Sequence, residues 1–333
     1  MDNKIDFVII WVDGNDPEWR EEKCKYSLKN IVDDRNIRYR DWENLRYWFR
    51  GVEKYAPWVN KIHFVTWGHL PDWLDTSNPK LNIVKHKDFI PEEYLPTFNS
   101  NAIELNLHRI KDLSEQFVYF NDDMFIINKV EPKDFFTDGK PCDSAILSPA
   151  IKDKKDAIGN IELNNMAIVN TYFNKNLQMK SKINKWFNYR YEFGQIIKNV
   201  LLIPWNSFTG FYEFHLPSSF LKSTYNEIWS KEYDELHETS SHKFRNLKLD
   251  VNQWVIRDWQ LASNCFAPRT TKFGKLYTLN EEIDLNNFFD KLKYKAVCLN
   301  DDEAINEQQF EEMKKQLNKS FMRILPEKSS FEK

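Results

Sequence analysis

Two adjacent carboxylates, Asp122 and Asp123, stand directly after the apolar run at residues 117–120, where an acid pair is placed to hold a divalent cation through oxygen. The same design occurs earlier, where residues 7–12 break into Asp13-Gly14-Asn15-Asp16-Pro17. It occurs again late, where residues 294–299 end in Asn300-Asp301-Asp302. Asp and Asn are ordinary turn residues as well, because their side chains hydrogen-bond nearby backbone. Three such turns behind three buried-strand patterns are harder to assign to loop chemistry alone. Ligands of open α/β sheets bind beyond the carboxyl ends of the parallel strands, so the three turns are expected at one cleft. One would hold the metal and the others would serve substrate, since Mg²⁺ takes only one or two carboxylates plus substrate phosphates.

Phosphate recognition calls for arginine, whose fork of donors pairs bidentately with it. Arg46, on the helix pattern that follows the first acidic turn, and Arg245, in Ser241-His242-Lys243-Phe244-Arg245, are the candidates. A proton acceptor working near neutral pH points to histidine. His215, in Phe214-His215-Leu216-Pro217, competes for that role with His108, which follows Glu104 by one helical turn; His63 lies inside a strand pattern and reads as structural.

Positioning these groups takes alternating strands and helices. A strand at residues 62–66 and a short one at 81–84 follow a helical stripe, Leu45, Trp48, Phe49, Val52 and Tyr55, opened by Asp41 as N-cap and closed by Pro57. Ile103, Leu107, Ile110 and Leu113 mark another helix before the strand at 117–120. This alternation predicts a mostly parallel sheet with helices on its faces. Residues 1–149 and 201–304 read as the α/β core of one catalytic unit. Residues 150–200 read as a helical insertion or cap, and from Pro204 the chain is expected to be rich in strand and loop. Residues 305–333 form an amphipathic helix and tail, with Phe310, Met313, Leu317, Phe321 and Ile324 in its stripe.

The chain has 333 residues, enough for a substantial core, and a net charge of −3, which argues against nucleic-acid binding driven by phosphate attraction. Aromatics make up 15% of it; most must be core, and the excess also suits stacking on sugars or bases. Four dispersed cysteines without CxxC spacing fit neither a zinc cluster nor a disulfide framework, and imply a reducing compartment. With no signal-like start and no run of membrane-spanning length, a soluble, cytoplasmic protein is expected.

Taken together the blocks resemble the Stealth family, sugar-1-phosphate transferases of microbial capsule and surface-polysaccharide synthesis, related to the animal lysosomal-enzyme N-acetylglucosamine-1-phosphotransferase. The first resembling block is Ile5-Asp6-Phe7-Val8 through Asp16-Pro17. The second runs from Asn44-Leu45-Arg46-Tyr47 through Leu95-Pro96-Thr97-Phe98-Asn99-Ser100 and Ala102-Ile103-Glu104 to His108-Arg109-Ile110 and Phe120-Asn121-Asp122-Asp123. The third is His215-Leu216-Pro217 with His242-Lys243-Phe244-Arg245, and the fourth is Cys298-Leu299-Asn300-Asp301-Asp302. Asn101 and Ser218 stand where many members carry histidine.

The resemblance implies a glycosyltransferase-A-like core and transfer of hexose-1-phosphate or N-acetylhexosamine-1-phosphate from a UDP-sugar to a sugar hydroxyl, with UMP leaving. It implies catalysis by His215, Arg46, Arg245 and Asp123, and substrate contacts from Asp13, Gly14, Asp16, Asn99, Glu104 and His108. Mg²⁺ or Mn²⁺ would lie among Asp122, Asp123, Asn300 and Asp301. The acceptor would be an oligosaccharide, lipid-linked, at the inner face of the cell membrane. There the C-terminal stripe either docks on anionic lipid or closes the catalytic core. Two other readings stand beside this one: an ordinary glycosyltransferase releasing UDP, and a carbohydrate-binding protein without catalysis.

Overall fold

In the computed structural model, which describes residues 4–27, 40–152, 158–280, 282–302 and 304–333, the apolar runs of the sequence become parallel strands. These are β1 (Ile5–Ile10), β2 (Ile62–Thr66), β3 (Leu81–Lys85) and β4 (Gln116–Phe120). β1, β2 and β4 are almost wholly buried, and their near-continuous apolar character is what coverage on both faces requires. Then come β5 (Met124–Ile126), the short β6 (Phe136–Thr137), β7 (Lys140–Asp143), β8 (Ser218–Leu221), β9 (Ala267–Pro268), β10 (Gly274–Leu279) and β11 (Ala296–Asp301). The main sheet runs β3-β2-β1-β4-β8 and is parallel except at its β8 edge; a second sheet runs β10-β11-β5. The mostly parallel α/β core matches the expectation.

Between β1 and β2 lie α1 (Pro17–Tyr26) and α2 (Leu45–Tyr55). The α2 helix starts at Leu45, the first residue of its apolar stripe, and its N-cap is Asn44. Asp41 is therefore not the cap that was expected; its Oδ1 accepts the Glu43 N–H at 2.7 Å in a turn before the helix. Gly51 allows α2 to lie close to β5, since a Cβ there would be 2.7 Å from the Ile126 carbonyl oxygen. The helix expected around residues 103–113 is instead the short α4 (Ser100–Leu105) followed by a 3-10 turn, after α3 (His86–Phe89).

Past α5 (Pro132–Phe135), helices α6 (Ile158–Tyr172), α7 (Lys175–Ser181), α8 (Ile183–Trp186) and α9 (Phe193–Leu201) occupy the segment expected to be helical. The stretch from Pro204 is more helical than predicted. It contains α10 (Lys222–Lys231), α11 (Tyr233–Ser241) and α12 (Trp254–Ala262), and every residue of α12 is buried.

The C-terminal helix, α13 (Glu307–Ile324), buries Phe310, Met313, Leu317 and Phe321 against the core; Phe321 stacks on Tyr47 of α2 with ring centroids 5.0 Å apart. Beyond it Glu332 pairs with the buried Arg50 guanidinium at 2.7 Å. The stripe that was expected either to meet lipid or to close the core closes the core. No helix among the described residues is long and apolar enough to cross a membrane.

Candidate active site

Parallel pairing of β1 with β4, Ile9 opposite Phe120, brings the turns after both strands to the same sheet edge. The second sheet reaches that edge from the side. Cys298 of β11 lies opposite Met124, and the Leu299 N–H donates to the Asp123 carbonyl at 2.9 Å, so Asn300 and Asp301 run past the acid pair. The third group arrives on the loop before β8, whose Ser218 faces Tyr119; this brings His215 beside Asp123. His215 has φ +48°, a left-handed conformation uncommon for a residue with a side chain. A few residues away, Arg257 holds Glu213 at 2.6 Å and Asp143 at 2.7 Å, tying the loop to α12.

Asp123 is the centre of the arrangement. Its Oδ2 accepts from Cys298 Sγ at 3.2 Å and lies 3.6 Å from His215 Nε2, while its Oδ1 is enclosed without a hydrogen-bond partner. Burial alone would lower the His215 pKa, but the attraction of the nearby Asp123 carboxylate, with the Glu213 and Glu104 charges, outweighs it and raises the value. Asp122 reaches solvent, yet protein atoms crowd its carboxylate. That desolvation, with repulsion from Asp123 and Asp41, pushes its pKa up to about 7. The orphaned Asp123 oxygen fits a divalent cation, and Asp123, His215 and Cys298 each offer a ligand atom within 4.8 Å of the others. Asp301, whose Oδ2 is also enclosed and unpartnered, is held near Arg40 at 3.6 Å. Asn300 is exposed at the rim.

On the β1 side the Asp13 N–H donates to His69 Nε2 at 2.7 Å and Asp13 Oδ1 accepts the Asn15 N–H at 2.8 Å. Asp16 caps α1 through the Trp19 N–H at 2.7 Å, and the Gly14 carbonyl accepts from Arg20. Arg46, in the first turn of α2, stacks over Trp73 at 5.6 Å and has no ion pair among the described residues. A guanidinium on an aromatic shelf is preorganised for an incoming anion.

Other expected site residues lie deeper. Glu104 is buried, accepts from Tyr119 Oη at 3.1 Å, and has its pKa raised by burial against the opposing charge of Arg245. Arg245 in turn donates to Ser100 Oγ at 2.5 Å. Asn99 is fully buried: it caps α4 through the Asn101 N–H and donates to Asp250 at 3.0 Å, so it is a structural residue here, not a substrate contact. His108 is buried against Tyr225 and Trp229, where burial lowers its pKa to about 3. Packed there it offers little surface to a substrate.

Three residues escaped the sequence reading. Asp41 is near enough to Asp13 and Asp122 for their charges to act on one another. The stripe beginning at Leu45 already put the helix cap at 44 and left Asp41 free for another role. His69 follows β2, the other neighbour of β1, and so reaches the same sheet edge. Asp250 is a buried hub that accepts from Asn99, Asn101 and Asn246 and meets His242 Nδ1 at 2.6 Å. No local pattern announces it.

Residues 3–31 match the family model described as Stealth protein CR1, conserved region 1, and residues 38–143 match Stealth protein CR2, conserved region 2. Across 99% of its length the chain is 47% identical to a capsular polysaccharide phosphotransferase WcwK of Streptococcus pneumoniae, 98% of which is covered. The chain belongs to the Stealth family of phosphotransferases. Similar Stealth relatives include the receptor polysaccharide phosphotransferase WefC of Streptococcus oralis, 43% identical with 99% of both chains covered. Another is the exopolysaccharide phosphotransferase cps2G of Lactiplantibacillus plantarum, 42% identical over 99% of this chain and 96% of that one. Among solved structures, the galactosyltransferase LgtC covers 94% of this Stealth chain and 95% of its own at 10% identity and a TM-score of 0.41. Both matched conserved regions contain acidic turns of the cleft: the first carries Asp13 and Asp16, the second Asp41, Asp122 and Asp123.

Proposed function

We propose that the protein transfers hexose-1-phosphate or N-acetylhexosamine-1-phosphate from a UDP-sugar to a hydroxyl of a growing surface polysaccharide, releasing UMP. The observation that carries this reading is the Asp123 carboxylate, with one oxygen orphaned and the other facing His215 Nε2, in a chain whose relatives are named polysaccharide phosphotransferases along their whole length. The acceptor oxygen forms a bond to the sugar-bearing phosphorus, and the bond from that phosphorus to the UMP oxygen breaks. The anomeric C–O bond is untouched, so its configuration is retained.

His215 takes the acceptor proton at Nδ1, the ring nitrogen not facing Asp123, while Asp123, 3.6 Å from Nε2, orients the imidazole and stabilises it once charged. Arg46, over the Trp73 ring, meets the donor phosphates. Arg245 is a positioning residue, fixing the Ser100 turn and the charge of Glu104 beneath the cleft. Asp122 and Asp123, with Asn300 or Asp301, would hold Mg²⁺ or Mn²⁺. Such an ion supplies neutralisation of phosphate charge as the transfer proceeds.

Incubation with a panel of UDP-sugars, a soluble oligosaccharide acceptor and Mg²⁺ tests the reading. UMP and a phosphodiester product seen by phosphorus NMR are expected. Stoichiometric UDP with a phosphate-free glycoside would replace the reading with glycosyl transfer.

A further inference from the structure

Helix α9 is turned inside out. Phe193, Ile197, Val200 and Leu201 fall at the i, i+4, i+7, i+8 spacing of a single stripe, and they are 79, 40, 49 and 65% exposed. The only buried residue of the helix is polar: Asn199 accepts the Leu147 N–H at 2.7 Å and donates to the Ala145 and Trp186 carbonyls at 2.8 and 2.7 Å. A surface helix of a soluble protein ordinarily does the reverse, with its apolar stripe inward.

The stripe continues past the helix. Ile203 and Trp205 are 48 and 55% exposed, and Leu177 of α7, 66% exposed, is brought alongside by two bonds that tie its helix to this segment. Lys175 Nζ donates to the Leu202 carbonyl at 2.7 Å, and Asn176 donates to Asn206 at 3.1 Å. A concentration of exposed apolar side chains of this kind marks a docking surface.

Its charge says what docks. Residues 174–206 contain six basic side chains and one acid, Glu192, in a chain of net charge −3. Glu192 faces Lys272 at 3.6 Å. Lys180, Lys182 and Arg190 of the same segment are exposed. Exposed aliphatic and aromatic side chains accompanied by cations are the composition that inserts into the headgroup region of an anionic bilayer. We propose that α9 and the segment through Trp205 form a reversible docking face for an anionic lipid surface. The face is joined to the active centre, because α9 is pinned through Asn199 to Leu147, which bridges Phe211, and Phe211 leads directly into the loop bearing His215. The place once expected at the C-terminal helix is thus found here, on an element whose stripe is free.

The test is sedimentation of the full chain with vesicles of phosphatidylglycerol and phosphatidylcholine against vesicles of phosphatidylcholine alone, with gel filtration in parallel. Binding to the anionic vesicles that weakens with salt is expected. The triple variant Phe193→Ser, Leu201→Ser, Trp205→Ser should lose at least about tenfold in partitioning, since burial of these apolar side chains is what holds the helix at the interface. The charge variant Lys180→Glu, Lys182→Glu, which leaves the apolar stripe intact, should also bind more weakly. Hydrogen exchange of the wild type should show new protection at residues 193–205 on vesicles. This last readout decides the matter even if the triple variant does not fold. No sedimentation of the wild type, protection confined to another segment, or a concentration-dependent dimer that the triple variant abolishes would each overturn the lipid assignment, the last in favour of a second copy of the chain. None of these measurements depends on turnover, so they stand whether UMP or UDP proves to be the product.

Discussion

Asp123 Oδ2 lies 3.6 Å from His215 Nε2, so the charge of the proposed metal ligand acts directly on the proposed base. In metal-free protein the imidazole should titrate above the ordinary histidine value of about 6.5, because the Asp123, Glu213 and Glu104 charges outweigh burial. Asp123→Asn removes the largest of those charges, and burial then pulls the pKa down. NMR titration of the His215 ring protons should show the value falling in the variant. An unchanged ring titration would separate the two residues.

Asp123→Ala and Arg46→Ala should each reduce turnover by about 10²-fold or more, the usual cost of losing a charged transition-state contact. Arg46→Lys should recover little, because a compact ammonium reproduces neither the bidentate fork nor the stacking on Trp73. Steady-state rates, with circular dichroism as the control for folding, check both.

The buried hub at Asp250 gives a stability prediction. Asp250→Ala leaves Asn99, Asn101 and His242 without their acceptor and should cost about 3–5 kcal/mol. The hydrogen bond and charge of Asp250, with that of Glu238, raise the His242 pKa against burial. The charged His242 pairing is therefore fully present below the unfolded value of about 6.5 and is lost as pH rises through the raised folded value. Urea midpoints of His242→Gln and wild type should differ most in mild acid and converge at higher pH.

Removal of residues 308–333 should abolish folding, since it strips Phe310, Met313, Leu317 and Phe321 from the core and leaves Arg50 buried without Glu332. Each lost apolar side chain is worth about 2–5 kcal/mol, several times the margin of a typical domain in total. Thermal unfolding monitored by near-UV circular dichroism should show no cooperative transition for the truncated chain.

The strands and their acidic ends were legible because the apolar runs of β1, β2 and β4 stop abruptly at Asp, Asn or Gly, and parallel strands share one exit edge. His215 was readable through its resemblance block, but its left-handed backbone and its approach to Asp123 depend on pairing between β4 and β8. Helix α12 was hidden because it is buried all round, which erases the amphipathic period by which a helix is recognised. Asn99 and His108 look like site residues in sequence, since a polar side chain satisfied inside a core has the same letter as one waiting for substrate. The docking stripe of α9 has the opposite difficulty: its period is plain, but only the packing shows which way it points.

Asn121, Asp122 and Asp123 are the whole connection between β4 of one sheet and β5 of the other. The acid pair is therefore a joint as well as a ligand set, fixed in length by two independent hydrogen-bond registers. One residue added at this joint would offset the second sheet against the first and carry Cys298 and Leu299 away from Asp123, even with every acidic side chain retained. The cleft is thus more tolerant of altered chemistry at its lip than of altered spacing, and evolutionary change in donor or acceptor preference would be expected to enter through the surrounding loops while this three-residue splice keeps its length.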